Sequence, residues 1–264
     1  MFNKELNIEE CHKRLLDISK LFHQICITNK IPYYLIGGTL LGAIRHKGFI
    51  PWDDDMDFGV PFDYYDRLIM LLRTHLPTQY DVVNFQTKTN CFTIYYKIED
   101  LETCIDDKCV SLPINEKMGI NVDVFPLNYC SIKNPKLKRL KLLQNWNRRI
   151  YTESTSGEKH KHYAKKLLQM ISPLSQRDFL NRIHEITMSI NDGNMMANLF
   201  SPYGFKEFMP IEYFGEPVLY QFEDTSFFGP CKPHNYLTQL YGDYMTLPPI
   251  TKRNRHADKI YLRK

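Results

Sequence analysis

The feature that most constrains this 264-residue chain is Asp53-Asp54-Asp55-Met56-Asp57, four carboxylates in five consecutive positions. Like charges this close repel one another, and a stable protein gathers them where cations compensate. Trp52 and Phe58 bracket the acids, which argues against a solvated surface tip. Met56 to Val60 reads as a strand. Side chains alternate faces along a strand, so Asp55 and Asp57 point one way while Met56 and Phe58 enter the core. Sixteen residues separate Asp55 from an upstream glycine pair, Gly37-Gly38, which is followed by Thr39. Glycines let the main chain approach a phosphate, and the N-terminus of a following helix adds favourable N–H dipoles. Two carboxylates on one face beside such a turn suit Mg²⁺ or Mn²⁺ held together with phosphate oxygens.

Further along, Asn121-Val122-Asp123-Val124-Phe125 sets a single acid between apolar neighbours, with Val122 and Val124 expected to face inward. Taken alone, Asp123 is equally well read as a surface-facing strand residue. Arg45, His46 and Lys47 lie between the glycines and the acids; they would neutralise a diphosphate or form an exposed basic turn. Trp52 offers a face to a base or a quaternary ammonium, with loop packing as the alternative.

Around this block the chain reads as α+β. Cys11, Leu15, Ile18, Phe22 and Ile25 recur at helical spacing, and Asn29-Lys30 with Pro32 ends that helix. Tyr33 to Ile36 is a short strand, and Leu40, Leu41 and Ile44 mark a brief helix after the glycines. A helix to Leu76 is expected to start from Asp63 as N-cap, with Asp66 completing a capping box. Tyr80–Phe85, Phe92–Ile98 and Ile120–Phe125 are strand-like and joined without long helical crossovers, which favours a mixed or antiparallel β-sheet flanked by helices. Helices are expected along Leu137, Leu140, Leu143, Trp146 and Ile150, and from Ser175 to Ile190. A hairpin is expected to turn at Glu223-Asp224, and a last short helix to run from Pro233 to Gly242. Three parts follow: a core at 1–130, a basic helical insertion or subdomain at 131–200, and a C-terminal part at 201–264 that completes the core.

Charge narrows the partners. The net charge is +4, but Ser131 to Met170 holds eleven Lys/Arg against two Glu. The whole molecule is therefore no nucleic-acid binder, while the basic block suits a phosphate-rich neighbour such as an anionic membrane surface, or is simply a solvated face. The seven cysteines form no CxxC pair and read as reduced, mostly buried thiols; zinc at Cys104 and Cys109 is the minor alternative. Lys4, Glu5, Glu9 and Glu10 interrupt any N-terminal apolar run, and no uncharged stretch approaches a membrane span. A cytoplasmic protein, at most peripheral on the inner membrane face, is expected.

Three blocks carry a family resemblance: GGTLLGAIRHKGFIPWDDDMD at 37–57, GINVDVFPL at 119–127 and YLTQLYGDYMTLPP at 236–249. They resemble the LicD family of phosphotransferases, within the DNA polymerase beta-like nucleotidyltransferase superfamily, which includes phosphocholine transferases of bacterial surface glycans and fukutin-related proteins. The resemblance covers about residues 10–128 and 218–256. It implies a nucleotidyltransferase-like catalytic core in which Gly37 and Gly38 cradle nucleotide phosphates. Asp55 and Asp57 would bind the metal, Mg²⁺ or Mn²⁺, and Asp123 would complete it and take the acceptor's proton. Asp53 and Asp54 would hold the loop. Asn128 stands where the family often carries an acid. The implied reaction moves a phospho-alcohol from a CDP-activated donor, CDP-choline first, to a sugar hydroxyl on a glycan or lipid-linked glycan acceptor. CDP-glycerol or CDP-ribitol as donor, nucleotidyl transfer releasing pyrophosphate, and an inert membrane-face scaffold are the alternatives.

Overall fold

The computed structural model describes residues 4–106, 116–151, 169–170, 172, 174–253, 255, 257 and 259–263. Cys109 and the basic-block cations between 152 and 168 lie outside the described residues. Helix α1 (Ile8–Thr28) buries the expected stripe of Cys11, Leu15, Ile18, Phe22 and Ile25. Asn7 caps it, with Glu10 completing a capping box, and Lys30 ends the segment at φ +55°. Leu15, Ile18 and Phe22 are wholly buried; each such side chain contributes roughly 2 kcal/mol.

Strand β1 (Tyr34–Leu35) leads into α2 (Gly37–Arg45), so the glycine pair forms the first turn of the helix instead of preceding it. Strand β2 (Asp57–Pro61) runs directly into α3 (Phe62–His75). The expected Asp63 cap is corrected here. Pro61 holds the N-cap position with φ −53°, so the helix begins before Asp63, whose carboxylate instead accepts from Asn191 Nδ2 at 2.9 Å.

Strands β3 (Tyr80–Val83), β4 (Tyr96–Asp100), β5 (Thr103–Asp106), β6 (Asn121–Cys130), β7 (Met195–Asn198) and β8 (Met209–Pro210) follow. The run expected as a strand from Phe92 starts only at Tyr96. Ahead of it, the Asn84 side chain accepts the N–H groups of Gln86 and Thr87 and folds the segment into a turn. The sheet is mixed, in the order β1-β2-β6-β4-β3, with β2 and β6 parallel and the other pairs antiparallel. Strand β6 is its axis. One edge carries β2. The other carries β4 over residues 121–124 and then β7 over 127–130. Pro126, which has no N–H to give, falls in the gap between those two partners.

The main core lies between this sheet and α1, α2 and α3. A second cluster forms where α4 (Lys136–Tyr151) and α5 (Gln176–Met188) pack together, with Leu137, Leu140, Leu180 and Ile183 meeting Cys130 and Ala197 of β6 and β7. Ser175 and Asp178 form the capping box of α5. Trp146, expected on the buried stripe of α4, is 45% exposed. Asn128 ties the two cores: its Nδ2 donates to the carbonyls of Thr187 (3.0 Å) and Ile190 (2.8 Å), contacts an ionised acid could not make.

Beyond a short α6 (Ile211–Phe214), β9 (Val218–Phe222) and β10 (Thr225–Gly229) form the expected hairpin, with Glu223 at φ +53° in its turn. Helix α7 (Pro233–Tyr241) ends at Gly242, φ +75°. Strand β11 (Lys259–Leu262), not anticipated, pairs antiparallel with β5. Cys11, Cys26, Cys91, Cys130 and Cys231 are free thiols, and among the described residues no helix is long and apolar enough to cross a membrane.

Candidate active site

The parallel register of β2 and β6 sets Asp57 opposite Asp123. Register partners on neighbouring strands share a face, so both carboxylates emerge on one side while Met56, Phe58, Val122 and Val124 are fully buried beneath. The backbone is fixed from three directions. Asp123 N–H donates to the Met56 carbonyl (2.8 Å), Ile36 N–H to the Asp57 carbonyl (3.3 Å), and Asp57 N–H to Thr39 Oγ1 (2.8 Å). Thr39, expected at the ligand, is buried and holds an aspartate in place. Burial first, then the Asp55, Asp123 and Asp53 carboxylates, push the Asp57 carboxyl well above its ordinary range, with Lys97 opposing them. The acids expected to act together are thus close enough to feel one another.

Lys97 is the cation that sequence reasoning missed. It is the cross-strand partner of Asp123 on β4, and its Nζ donates to Asp123 Oδ1 and to Asn121 Oδ1 (2.9 Å). It also sits 5.4 Å from the Tyr95 ring centre. Burial and then Asp123 and Asp57 push the Tyr95 phenol up. Tyr95, Lys97 and Glu99 recur at period two, a visible signal, but which acid the lysine meets depends on register.

On the β2 side, the start of α2 abuts the acids. A Cβ on Gly37 would lie 3.3 Å from Asp57 Oδ2, and one on Gly38 3.1 Å from Asp53 Oδ2. Gly37 also needs φ +54°, which a side chain would strain. Its N–H donates to Tyr236 Oη at 3.2 Å, and Tyr241 stands nearby, its ring edge-on to Tyr203 at 5.3 Å between centres. Burial pushes both Tyr236 and Tyr241 up. The C-terminal motif therefore packs α7 directly behind the glycine pair.

The loop from His46 to Met56 is clamped by C-terminal segments. Glu223 Oε1 accepts from Phe49 N–H (2.9 Å), and Glu223 N–H donates to the Lys47 carbonyl (2.7 Å). The Arg45 guanidinium donates to the Tyr244 carbonyl (2.7 Å) and to His46 Nε2 (3.0 Å). Burial, then Arg45, push the His46 imidazole down. Lys47 is exposed at φ +62°. Arg253 covers the Trp52 ring at 4.7 Å, and the Asp54 carboxylate accepts from Ala257 N–H (2.9 Å). The structure brings Asp53, Asp55, Asp57, Asp123, Gly37 and Gly38 together, whereas the contacts of Arg45, His46 and Trp52 run to the loop and the C-terminal segments.

The donor set is made of hard carboxylate oxygens gathered beside a glycine turn, which suits Mg²⁺ or Mn²⁺. Among the described residues no three acidic, histidine or cysteine side chains already converge into a metal group. Asp123 is turned to Lys97, so closing a metal centre would shift that carboxylate.

Comparison with known proteins gives the family of the chain. Residues 30–186 match the family described as LicD/FKTN/FKRP, nucleotidyltransferase domain. The lipopolysaccharide cholinephosphotransferase LicD of Haemophilus influenzae is 32% identical over 96% of this chain and 97% of its own length. An uncharacterized protein of Rickettsia prowazekii is 48% identical over 46 residues, 17% of each chain. The human ribitol 5-phosphate transferase FKRP is 38% identical over 50 residues, 19% of this chain and 10% of its own. With a family match over more than half its length and a relative aligned nearly end to end, this chain belongs to the LicD/FKTN/FKRP family and is a LicD-like phosphotransferase.

Proposed function

We propose that this enzyme moves a phospho-alcohol, first of all phosphocholine from CDP-choline, onto a sugar hydroxyl of a cell-surface glycan or its lipid-linked precursor. The observation that carries the reading is the near-complete alignment with a lipopolysaccharide cholinephosphotransferase, joined to a parallel register that pairs Asp57 with Asp123. On this reading the core is nucleotidyltransferase-like, and the donor pyrophosphate lies between the start of α2 and the aspartates. Asp55, Asp57 and Asp123 would hold Mg²⁺ or Mn²⁺, which supplies positive charge to the phosphate oxygens during in-line attack. The acceptor oxygen bonds to the donor's alcohol-bearing phosphorus, the bond to the CMP oxygen breaks, and the hydroxyl proton passes to a carboxylate, Asp123 in this assignment. Lys97 keeps Asp123 oriented, and Thr39 keeps Asp57 on the reacting face. The exposed cations Lys138, Arg139 and Arg149 of α4 would rest against an anionic membrane that carries the acceptor.

The test is a panel of CDP-choline, CDP-glycerol and CDP-ribitol, each with Mg²⁺ or Mn²⁺ and a glycan acceptor. CMP release with CDP-choline supports the reading. Release confined to another CDP-alcohol moves the donor assignment, and pyrophosphate as the product from a nucleoside triphosphate replaces the reaction by nucleotidyl transfer.

A further inference from the structure

A cleft of about 790 Å³ opens between α4 and the segment that follows β7. That volume is in the range of pockets that bury a small ligand. Its composition is one-sided. Lys141, Arg148 and Lys206 line it, and among the described residues none of its lining is Asp or Glu. Aromatic rings stand open in it: Phe92, Tyr203 and Phe205 are 47%, 43% and 55% exposed. Lys141 Nζ lies 5.0 Å from the Phe205 ring centre and fixes that ring at the α4 wall. Gln144, Asn145 and Asn147 add amides from α4, and Asn147 Oδ1 is buried without a hydrogen-bond partner. A buried acceptor in that state costs free energy that a ligand hydroxyl would recover once the Asn147 side chain turns into the cleft.

The position of the cleft is as telling as its chemistry. Tyr95 belongs to its wall and stands beside Asp123; Tyr203 belongs to the opposite wall and packs on Tyr241 next to Gly37. The glycine pair and α2 flank β6 from the β2 edge, whereas the cleft lies against the edge carrying β4 and β7. Donor phosphates and cleft ligand would approach the two aspartates from opposite sides.

We infer that this cleft seats the acceptor, and that the acceptor segment it takes is a saccharide bearing a phosphate group. The inference rests on the reading above that a sugar hydroxyl is the nucleophile. The C–H face of a pyranose ring is apolar and slightly positive, which matches the negative face of an aromatic ring. Its hydroxyls match the three amides, Asn147 Oδ1 first. A phosphate on the sugar accounts for three cations gathered without a carboxylate.

Calorimetric titration without donor tests this, using a synthetic glucosyl disaccharide carrying one phosphate monoester, the same disaccharide unphosphorylated, and inorganic phosphate. The phosphorylated sugar is expected to bind at least about tenfold more tightly than either partial probe. Arg148→Gln with Lys141→Gln should remove about tenfold of that affinity, and Asn147→Ala a few-fold through the sugar rather than the phosphate. Equal binding of the phosphorylated and neutral sugars, or affinities untouched in both variants, would overturn the inference. CMP release from CDP-alcohols in water separates the two readings. Release by an enzyme that ignores the saccharides sinks the cleft alone, whereas saccharide binding sensitive to these variants in a protein that never releases CMP sinks the transferase reading alone.

Discussion

Asp57 and Asp123 are register partners on the parallel pair β2–β6, and the N–H of Asp123 is held by the carbonyl of Met56, one residue before its partner. The backbone positions of the two acids are therefore set by main-chain hydrogen bonds, on strands whose other faces are fully buried, while Lys97 turns the Asp123 carboxylate. A site built this way is preorganised. It tolerates crowded charge because the sheet cannot relax to separate the acids.

Asp57→Asn and Asp123→Asn should each lower CMP release by about 10²–10³-fold while the circular dichroism spectrum stays unchanged. Chelation of divalent cations should stop turnover in the unaltered enzyme, with Mg²⁺ restoring it. Wild-type rates in either variant would remove both aspartates from the mechanism.

Lys97→Met leaves Asp123, which is 14% exposed, without its ammonium partner. Loss of one member of a buried pair costs roughly 3 kcal/mol, so Tm should fall in metal-free buffer. Mg²⁺ should then raise Tm more in the variant than in the unaltered protein, since the cation replaces the missing charge. Differential scanning calorimetry with and without Mg²⁺ reads this directly; equal responses would count against a metal at Asp123.

Thr39→Val deletes the hydroxyl that accepts the Asp57 N–H. A loss of about 1 kcal/mol in stability is expected, with kcat falling more than KM because the aspartate is displaced rather than the substrate lost. Thr39→Ser should keep most of the activity, and steady-state kinetics on both variants checks the contrast.

Glu207 is 5% exposed, and burial pushes its carboxyl from 4.5 up to about 7, only partly offset by a hydrogen bond from Ser201. Its folded pKa lies above the unfolded one, so its contribution is fully present below pH 4.5 and is lost as pH rises through 7. The loss amounts to roughly 3 kcal/mol, at about 1.4 kcal/mol per pKa unit. Urea denaturation from pH 5 to pH 8 should show this decline, and Glu207→Gln should flatten it.

Gly59→Ala would place a Cβ 2.7 Å from Leu127 Cδ1 and 3.0 Å from Ile36 Cγ2. Overpacking of this kind costs about 1–3 kcal/mol. Thermal denaturation of Gly59→Ala beside Gly59→Ala with Leu127→Ala should show relief in the double variant if the contact with Leu127 is the cause.

Local features were legible in the chain. The spacing of Cys11 to Ile25 placed α1, Ser175 with Asp178 placed the start of α5, and Glu223-Asp224 placed the hairpin turn, because caps, turns and amphipathic periods act over a few residues. The cap assigned to Asp63 failed for a local reason of higher rank: a proline two residues earlier fixes the backbone. Strands β5 and β11 escaped notice because each is stabilised by a partner about 155 residues away, and neither has a marked alternation of its own.

By itself the sequence determined that acids, glycines and cations stood within twenty-one residues and that Met56 and Phe58 lay buried, while the strand itself begins only at Asp57, after Asp55. Only the tertiary structure decided that Asp123 is the register partner of Asp57, that Lys97 is the cation beside it, and that Arg253 covers Trp52. Alternation of side chains is a property of one strand and can be read along it. Register is a relation between strands, set by what the whole core will accommodate, and it left no mark near Asp57, Lys97 or Asp123 alone.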